Sequence, residues 1–516
     1  MDNLKITLKE EIPKLRELGH RFTNKEITSN EFKATSGGMG VYAQLGGAKF
    51  MIRMRIPSGI LSVDKFKILY ELAKKNNLEK VHLTTRQAIQ LHDISIDSVC
   101  DIMEEALKYD IYTRGGGGNF PRNVSLSPLT GVDVEEEFDV TEYAMVVNEY
   151  FMNKITTYKL PRKLKVSFSS SPKDSGNATI SDLGFLATKQ DENEYFKVYI
   201  GGGIGKNPSI AVEFDELVAT KDILYHVEAI TRLFVAEGNY ENRNKARIRY
   251  IVERMGSDEF LKCYKKHLQE VKYELDLDLQ VETTVCNKEG IVINEKHVRL
   301  VEQKQKGLYS VYFHPTNGQL SMEVYKVILD KIEDMEAIEV RLSMDEGMYI
   351  RNLNGNEAKA ILDLTQNLGG ETKLEQSVAC IGVPVCQIGI GESQSTLNEI
   401  LDFFKDNNFT KDVLPSIRIS GCPNSCGTHQ LGKIGLAGKK KKIDGTLEDI
   451  FEVFIGGEKG LNKTKLAQSV GSVKRQDMPQ FLYDLAKTID ESRLTYDKYI
   501  ESKNEEFRRI IEKYLV

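Results

Sequence analysis

Cys380-Ile381-Gly382-Val383-Pro384-Val385-Cys386 and Gly421-Cys422-Pro423-Asn424-Ser425-Cys426-Gly427 are the stretches on which the reading of this chain turns. They hold four of its seven cysteines, in two close pairs with a 35-residue connector. That layout suggests one site assembled from two loops. Thiolates select soft metals: zinc, copper(I), or iron in an iron–sulfur cluster. Zinc sites prefer about two to four residues between paired cysteines. The first pair here has five between them, and no histidine lies close to it. A cuboidal cluster accepts wider spacings, because its corners stand farther apart than the vertices around one ion. The plain alternative is four buried, inert thiols.

The bulk numbers bound the rest. A length of 516 residues suggests roughly three or four domain-sized units. Apolar content of 41% and charged content of 28% describe an ordinary soluble globular chain. No apolar run reaches about 18 residues, so no membrane span is expected. Met1-Asp2-Asn3-Leu4-Lys5 lacks a basic segment followed by an apolar core, so no signal peptide is expected. Sparse, odd-numbered cysteines point to a reducing, cytoplasmic setting. A net charge of −6 gives no reason to expect nucleic acid.

Taken in order, the chain shows a duplication. Phe50 to Ile56 reads as a strand, with Phe50, Ile52, Met54 and Ile56 on one side and Arg53 and Arg55 on the other. Pro57-Ser58-Gly59 turns the chain, and Phe66 to Leu78 has helical apolar spacing. A second extended stretch runs from Val81 to Leu91, with His82, Thr84, Arg86, Gln90 and His92 on one parity. The pattern returns 259 residues later: Leu61-Ser62 matches Leu320-Ser321, and Met322 to Ile332 repeats the helix. Phe196 to Gly202 returns as Phe451 to Gly457, and Leu160-Pro161 as Leu414-Pro415. We read two copies of one two-part module, each pairing a small α/β unit with a larger α+β unit. The expected fold class is α+β (mixed α/β), internally duplicated. The expected parts are residues 1–112, 113–285, 286–370 and 371–516. In this alignment Arg53 and Arg55 correspond to Val311 and Phe313, Arg86 to Asp345, and His92 to Arg351. The first copy then supplies cations, the second the metal site, and the active site lies between them.

The paired cysteines, as Cx5C followed by GCPNxCG, resemble the cluster signature of siroheme-dependent sulfite and nitrite reductases. The resemblance runs from about Arg53 to Gly457. It implies a pseudo-twofold fold around siroheme and a 4Fe–4S cluster. It makes Cys380, Cys386, Cys422 and Cys426 the cluster ligands, with Cys426 also bridging to the siroheme iron. It further implies reduction of sulfite to sulfide or of nitrite to ammonia, with a ferredoxin-like donor.

Cations are what such a site needs. Leu160 to Phe168 reads as a strand with Leu164, Val166 and Phe168 inward and Lys163 and Lys165 together on the other face. By itself that face reads as solvated. The resemblance instead places both lysines over the distal side of the siroheme, with Arg53 and Arg122 completing the anion pocket. Arginine forks hold oxyanion oxygens, while a lysine in a crowded cationic pocket lowers its pKa and can give up a proton. Siroheme carries eight carboxylates. The resemblance assigns Arg86, Gln90 and His92 to them, although a lone histidine is more often structural. Asn119, Asn123, Arg243, Lys245 and Arg247 are carried over to the same cofactor. A charged surface remains the alternative for the last three. Gly115 to Gly118 reads either as an anion nest of N–H groups or as a flexible loop.

Two motifs fall short. Gly201-Gly202-Gly203-Ile204-Gly205-Lys206-Asn207 lacks the glycine spacing and the terminal Ser or Thr of a phosphate loop. No GxGxxG stands between a strand and a helix, so electrons are expected from outside. Lys439 to Lys442 reads either as a steering patch for an acidic ferredoxin or as a solvated turn. A non-catalytic electron relay is the second class of function, but a relay needs no oxyanion pocket. Ser492 to Val516 reads as one charged amphipathic helix.

Overall fold

Two serines start the two halves of this fold. Ser62 accepts from the N–H of Lys65 and begins the helix Val63–Lys75, and Ser321 accepts from Val324 to begin Met322–Ile332. Phe66 and Tyr325 lie on the buried faces of those helices, 259 residues apart, and they meet. Their ring centroids are 4.3 Å apart, and the Tyr325 hydroxyl donates to the Phe66 carbonyl at 2.8 Å. A residue that touches its own counterpart marks a pseudo-twofold axis. The computed structural model describes residues 2–516; Met1, where the N-terminal reading begins, lies outside them.

Each small unit is a five-stranded antiparallel sheet with helices against it. The first runs Val41–Ala43, Phe50–Arg55, Ala88–Ile94, Lys80–Leu83, Gln319–Ser321. The second runs Leu300–Glu302, Leu308–Phe313, Met348–Asn354, Glu339–Leu342, Ile60–Ser62. The last strand of each sheet comes from the other half, so the two units exchange strands and share one hydrophobic core. The larger units are also sheets. Ser125–Leu126, Val166–Ser169 and Leu183–Gln190 run parallel, then turn back antiparallel through Asn193–Ile200. Val378–Ala379, Ile417–Ser420, Ile434–Ile443 and Thr446–Ile455 repeat that order. The duplicated α+β architecture is therefore present. No described helix is long and apolar enough to cross a membrane.

Several local expectations change. Val81 to Leu91 is a hairpin, Lys80–Leu83 and Ala88–Ile94, turned through Gln87 at φ 52°. Arg86 therefore sits in the turn, off the strand face that carries Gln90 and His92. Arg53 pairs across from Gln90, and Tyr312 across from Tyr349. The counterparts of Arg53 and Arg55 are thus Tyr312 and His314, one residue beyond the expected Val311 and Phe313. Lys163 and Lys165 precede the strand Val166–Ser169, although their alternation with buried Leu164 holds. Ser492 to Val516 is not one helix: Arg493 at φ 56° ends Met478–Ser492, and two short helices, Tyr496–Ser502 and Asn504–Glu512, follow. Residues 275–298, which span the expected boundary at 285, have no regular secondary structure.

Candidate active site

A glycine and a sharp turn bring the cysteine loops together. Ile390 and Gly391 donate their N–H groups to the Gly421 carbonyl at 2.9 and 2.7 Å. The Gly421 N–H points at the Cys380 sulfur at 3.2 Å. A side chain at Gly421 would collide with the Gly391 carbonyl, at 2.7 Å, so only glycine permits this approach. Burial, and then the neighbouring Cys426, push the Cys380 thiol up; Cys386 and Cys422 also feel Cys426. Cys426 therefore lies within electrostatic reach of the other three sulfurs. Among the described residues no group of three or more His, Cys, Asp or Glu is spaced for a single metal ion. Ligands of a cuboidal cluster stand farther apart than those of one ion.

The first copy shows what the same loop looks like without metal ligands. Gly176 and Gly427 each bring the backbone so close that a side chain would meet a carbonyl at 2.0 Å, that of Phe168 in one case and Ile419 in the other. These equivalent approaches set Ser171 and Ser175 opposite Cys422 and Cys426. Likewise the Ser127 N–H donates to Phe168 as that of Cys380 donates to Ile419. There the Ser175 and Ser127 hydroxyls bond each other at 2.8 Å. The look-alike phosphate loop also has a structural task. Gly205 and Gln430 exchange hydrogen bonds at 3.0 and 2.9 Å, which docks that loop on the cysteine loop.

Cations crowd the facing side. Arg53 donates to the Gly116 carbonyl at 2.6 Å, and Arg122 donates to the same carbonyl and to that of Gly118, at 3.0 Å. Arg55 is buried against the Pro121 carbonyl at 2.9 Å. Arg86 donates to the carbonyls of Asn123 and Val166, at 3.0 and 2.8 Å. Burial lowers Arg55 and Arg86 to about 9 and Arg122 and Arg162 to about 10, each with neighbouring arginines adding to the effect. All four remain charged at neutral pH. Burial, then Arg86 and Arg247, bring Lys165 to about 7; burial, then Lys165, hold Lys163 well below the usual lysine value. Both lysines feel the Cys426 sulfur. The Thr85 hydroxyl donates to the Cys426 carbonyl at 2.8 Å, tying the turn that carries Arg86 to the loop that carries the thiol.

The remaining expected residues divide. With the Gln90 amide oxygen turned toward Arg53, the guanidinium donates to it at 2.5 and 2.9 Å and the amide nitrogen reaches His92 at 3.2 Å. Burial and Arg53 pull His92 down to about 3, so it is neutral and braces this chain of contacts. The Asn119 carbonyl oxygen is buried without a partner. Asn123 is spent on the backbone: its amide donates to Ile56, Arg86 and Gln87 carbonyls at 2.7, 3.2 and 3.0 Å, and its oxygen accepts from Ser58. It positions Arg86, with no donor left for a cofactor. Arg247 is committed to the fully buried Asp182 through contacts of 2.9, 2.9 and 3.2 Å, and Asp182 also accepts from the Lys165 N–H at 2.8 Å. Arg243 and Lys245 lie on an exposed turn. The glycine loop is neither a free nest nor a loose loop. Gly115, Gly116 and Gly118 donate to Gly38, Thr113 and the Tyr42 hydroxyl, so these N–H groups are already used.

Tyr42 is a residue the sequence reading missed. Burial raises its phenol, but Arg122, Arg53 and the Gly118 N–H outweigh that and hold it below the usual tyrosine value. No motif marks it; only its position beside the strand of Arg53 would have pointed to it.

The Asp182 arrangement carries a prediction. Asp182→Asn leaves Arg247 buried without its counter-charge and frees the backbone of Lys165. A broken buried pair costs about 3–5 kcal/mol. Chemical denaturation should show a loss of that order, and an unchanged midpoint would remove the ion pair from the account.

The residues present fit the groups that the resemblance implies. At least four recessed arginines and two lysines converge with Asp182 as their buried carboxylate, an arrangement that demands bound anions. A macrocycle bearing carboxylates answers that demand, and four neighbouring thiols answer an iron–sulfur cluster. The two sets meet at Cys426.

Known proteins agree. The family model "Nitrite/Sulfite reductase ferredoxin-like half domain" matches residues 42–109 and again 301–368. "Nitrite and sulphite reductase 4Fe-4S domain" matches residues 117–272, the serine-bearing copy. A ferredoxin–nitrite reductase from Leptolyngbya laminosa is 27% identical over 438 residues, covering 82% of this chain and 83% of that one. A sulfite reductase [ferredoxin] from Mycolicibacterium paratuberculosis is 24% identical over 422 residues, covering 80% and 74%. The hemoprotein beta-component of a sulfite reductase [NADPH] from Bacillus licheniformis is 25% identical over 435 residues, covering 76% and 74%. The structure of the Mycobacterium tuberculosis NirA protein shares the fold, with a TM-score of 0.75 at 21% identity over 92% of each chain. Through its twice-repeated half-domain and the 4Fe–4S module between the repeats, this chain belongs to the nitrite and sulfite reductase family, oxidoreductases that use siroheme and a 4Fe–4S cluster.

Proposed function

We propose that this protein reduces sulfite to sulfide, accepts nitrite as a second substrate, and takes its electrons in the cytoplasm from a ferredoxin-like carrier. One observation carries the choice of sulfite: Lys165 stands beside Lys163 in the recessed pocket, in reach of Cys426. Siroheme, when bound, would supply the redox chemistry for the anion. The chain supplies the rest. Arg53 and Arg122 orient oxyanion oxygens, while Lys163 and Lys165 hold protons for the oxygens that leave as water. Arg55, Asn123 and the Asp182–Arg247 pair keep those groups in place.

Sulfite presents three oxygens and up to two charges, and nitrite two oxygens and one. An added cation favours the more highly charged anion. One charge at partly screened contact is worth on the order of 1–4 kcal/mol, enough to shift preference without excluding nitrite. The nitrite reading as the main activity draws on the Leptolyngbya relative, which is named for that substrate. The deciding experiment is the ratio of kcat/KM for sulfite to that for nitrite, in the wild type and in Lys165→Asn. Wild type should favour sulfite, and the substitution should move the ratio about tenfold or more toward nitrite. A wild type far better with nitrite, and indifferent to the substitution, would refute the proposal.

Three lysines of the Lys439 to Lys442 run already have partners within the chain. Lys439 pairs with Glu452, Lys440 with Asp449 at 3.2 Å, and Lys441 donates to the Val516 carbonyl at 2.7 Å. Cross-strand register puts Lys439 opposite Ile450 and Lys440 opposite Asp449, so the lysines balance acids on the returning strand.

A further inference from the structure

The first forty residues, which precede the stretch of family resemblance, line one side of a cavity. The helices Asp2–Thr23 and Ser29–Ser36 lie over the two glycine segments and leave a space of about 490 Å³ between them and residues 158–160. Its charged lining is one-sided: Lys14, Lys33, Arg114, Lys159 and Arg243 against Glu11 alone. Glu11 is already paired with Arg114. Buried polar atoms around it lack partners: the Arg114 Nε and the Tyr158 hydroxyl on the donor side, the Asn119 Oδ1 and the Glu11 Oε2 on the acceptor side.

The cavity touches the anion pocket through a wall one backbone thick. Gly118 lines it, and the carbonyl of that same residue accepts from Arg122 on the other side. Gly38 lines it too and accepts from the Gly115 N–H at 2.9 Å. A side chain at Gly118 would strike Gly38 at 2.9 Å, and one at Gly38 would strike the Phe120 ring at 2.7 Å. The wall is thin because both sides of it are glycine. On the outer side, Arg243 reaches electrostatically to Arg162, inside the pocket.

We infer that this cavity is an anion-collecting vestibule: a site that concentrates small inorganic oxyanions from solvent beside the pocket of Arg122 and Arg53. The inference rests on the reading of this protein as an oxyanion reductase. A cleft lined by one sign of charge between low-dielectric walls raises the local concentration of the opposite ion and the rate of association. The effect is strong at low salt and fades as the screening length shortens. It acts on arrival and leaves the chemical step alone.

The test uses the holoenzyme and the double substitution Lys14→Glu, Lys159→Glu, with Lys33 kept because its charge reaches Cys386. Both positions are exposed, and Lys→Gln at each serves if the double variant does not fold. Stopped-flow absorbance gives the second-order rate constant for binding of sulfite or nitrite at several salt concentrations. At about 0.01 M ionic strength the variant should bind about tenfold more slowly or worse, and by about 0.5 M the two proteins should converge, with kcat unchanged throughout. Crystals soaked in iodide give a readout independent of binding at iron: anomalous peaks should stand beside Lys14 and Lys159 in the wild type and vanish in the variant. An unchanged rate constant and salt slope, or no iodide in the cavity, overturns the vestibule alone. A wild type that binds neither anion overturns the vestibule together with the proposed function.

Discussion

Cys426→Ser should lose more than about 100-fold in turnover of either anion while the protein stays folded. Cys426 is the one of the four thiols that is exposed, and it is the one that Lys163 and Lys165 feel. Its loop is anchored on both sides, by Thr85 at the Cys426 carbonyl and by the glycine contact at Gly427. A serine hydroxyl is a hard, weakly acidic ligand where a soft thiolate is needed. The fold itself argues that the loss is chemical. Ser171 to Gly176 in the first copy has the same loop with serine at both cysteine positions, held by the same close approach of glycine to a carbonyl. The backbone therefore tolerates serine there, and melting should change little. Iron per chain and the visible spectrum report whether the cluster is retained and whether it still communicates with the macrocycle. Full iron content, a wild-type spectrum and normal turnover together would take Cys426 out of the site.

Some of this site was legible in the sequence for a chemical reason. Metal ligation demands both residue identity and spacing, so Cys380, Cys386, Cys422 and Cys426 are readable without a fold. Strand parity placed Arg53 opposite the buried Ile52 and Met54, because alternation is local. What failed depended on contacts between distant parts. The parity argument carried Arg86 onto a strand face, but Gln87 at φ 52° turns the chain there. Asn123 and Arg247 matched the family pattern by type, yet their partners, Ile56 and Asp182, lie 67 and 65 residues away. The exchange of Ile60–Ser62 for Gln319–Ser321 leaves no mark in either strand's own pattern. A one-residue misalignment of the repeats set Val311 and Phe313 where Tyr312 and His314 belong. In a strand, such a slip swaps the two faces.

The lysines give the second large effect. Lys163→Met and Lys165→Met should each lower kcat by about 100-fold, within the usual range for a lost general acid. Methionine keeps the length and the apolar stem but carries neither charge nor proton. The pocket explains why lysine is needed beside so many arginines. Arg55, Arg86 and Arg122 stay protonated near neutrality, so they hold anions and release nothing. Burial, then Arg86 and Arg247, bring Lys165 to about 7, where it can both hold and give up a proton near neutrality. The sign of the pH effect follows. An unliganded Lys165 loses its charge as pH rises through about 7, and an anion docking beside it raises that value. Anion binding should therefore take up protons at about pH 8 and take up none at about pH 5, where the lysine is already charged. Turnover should fall on the alkaline side, at a pH above 7 because the bound anions lift the lysine, and Lys165→Met should lack that limb. Calorimetry in buffers of different ionisation enthalpy measures the uptake, and the pH profile of kcat measures the limb. If either methionine variant kept its kcat and showed only a raised KM, the lysines would serve as fixed charges and the protons would have another source.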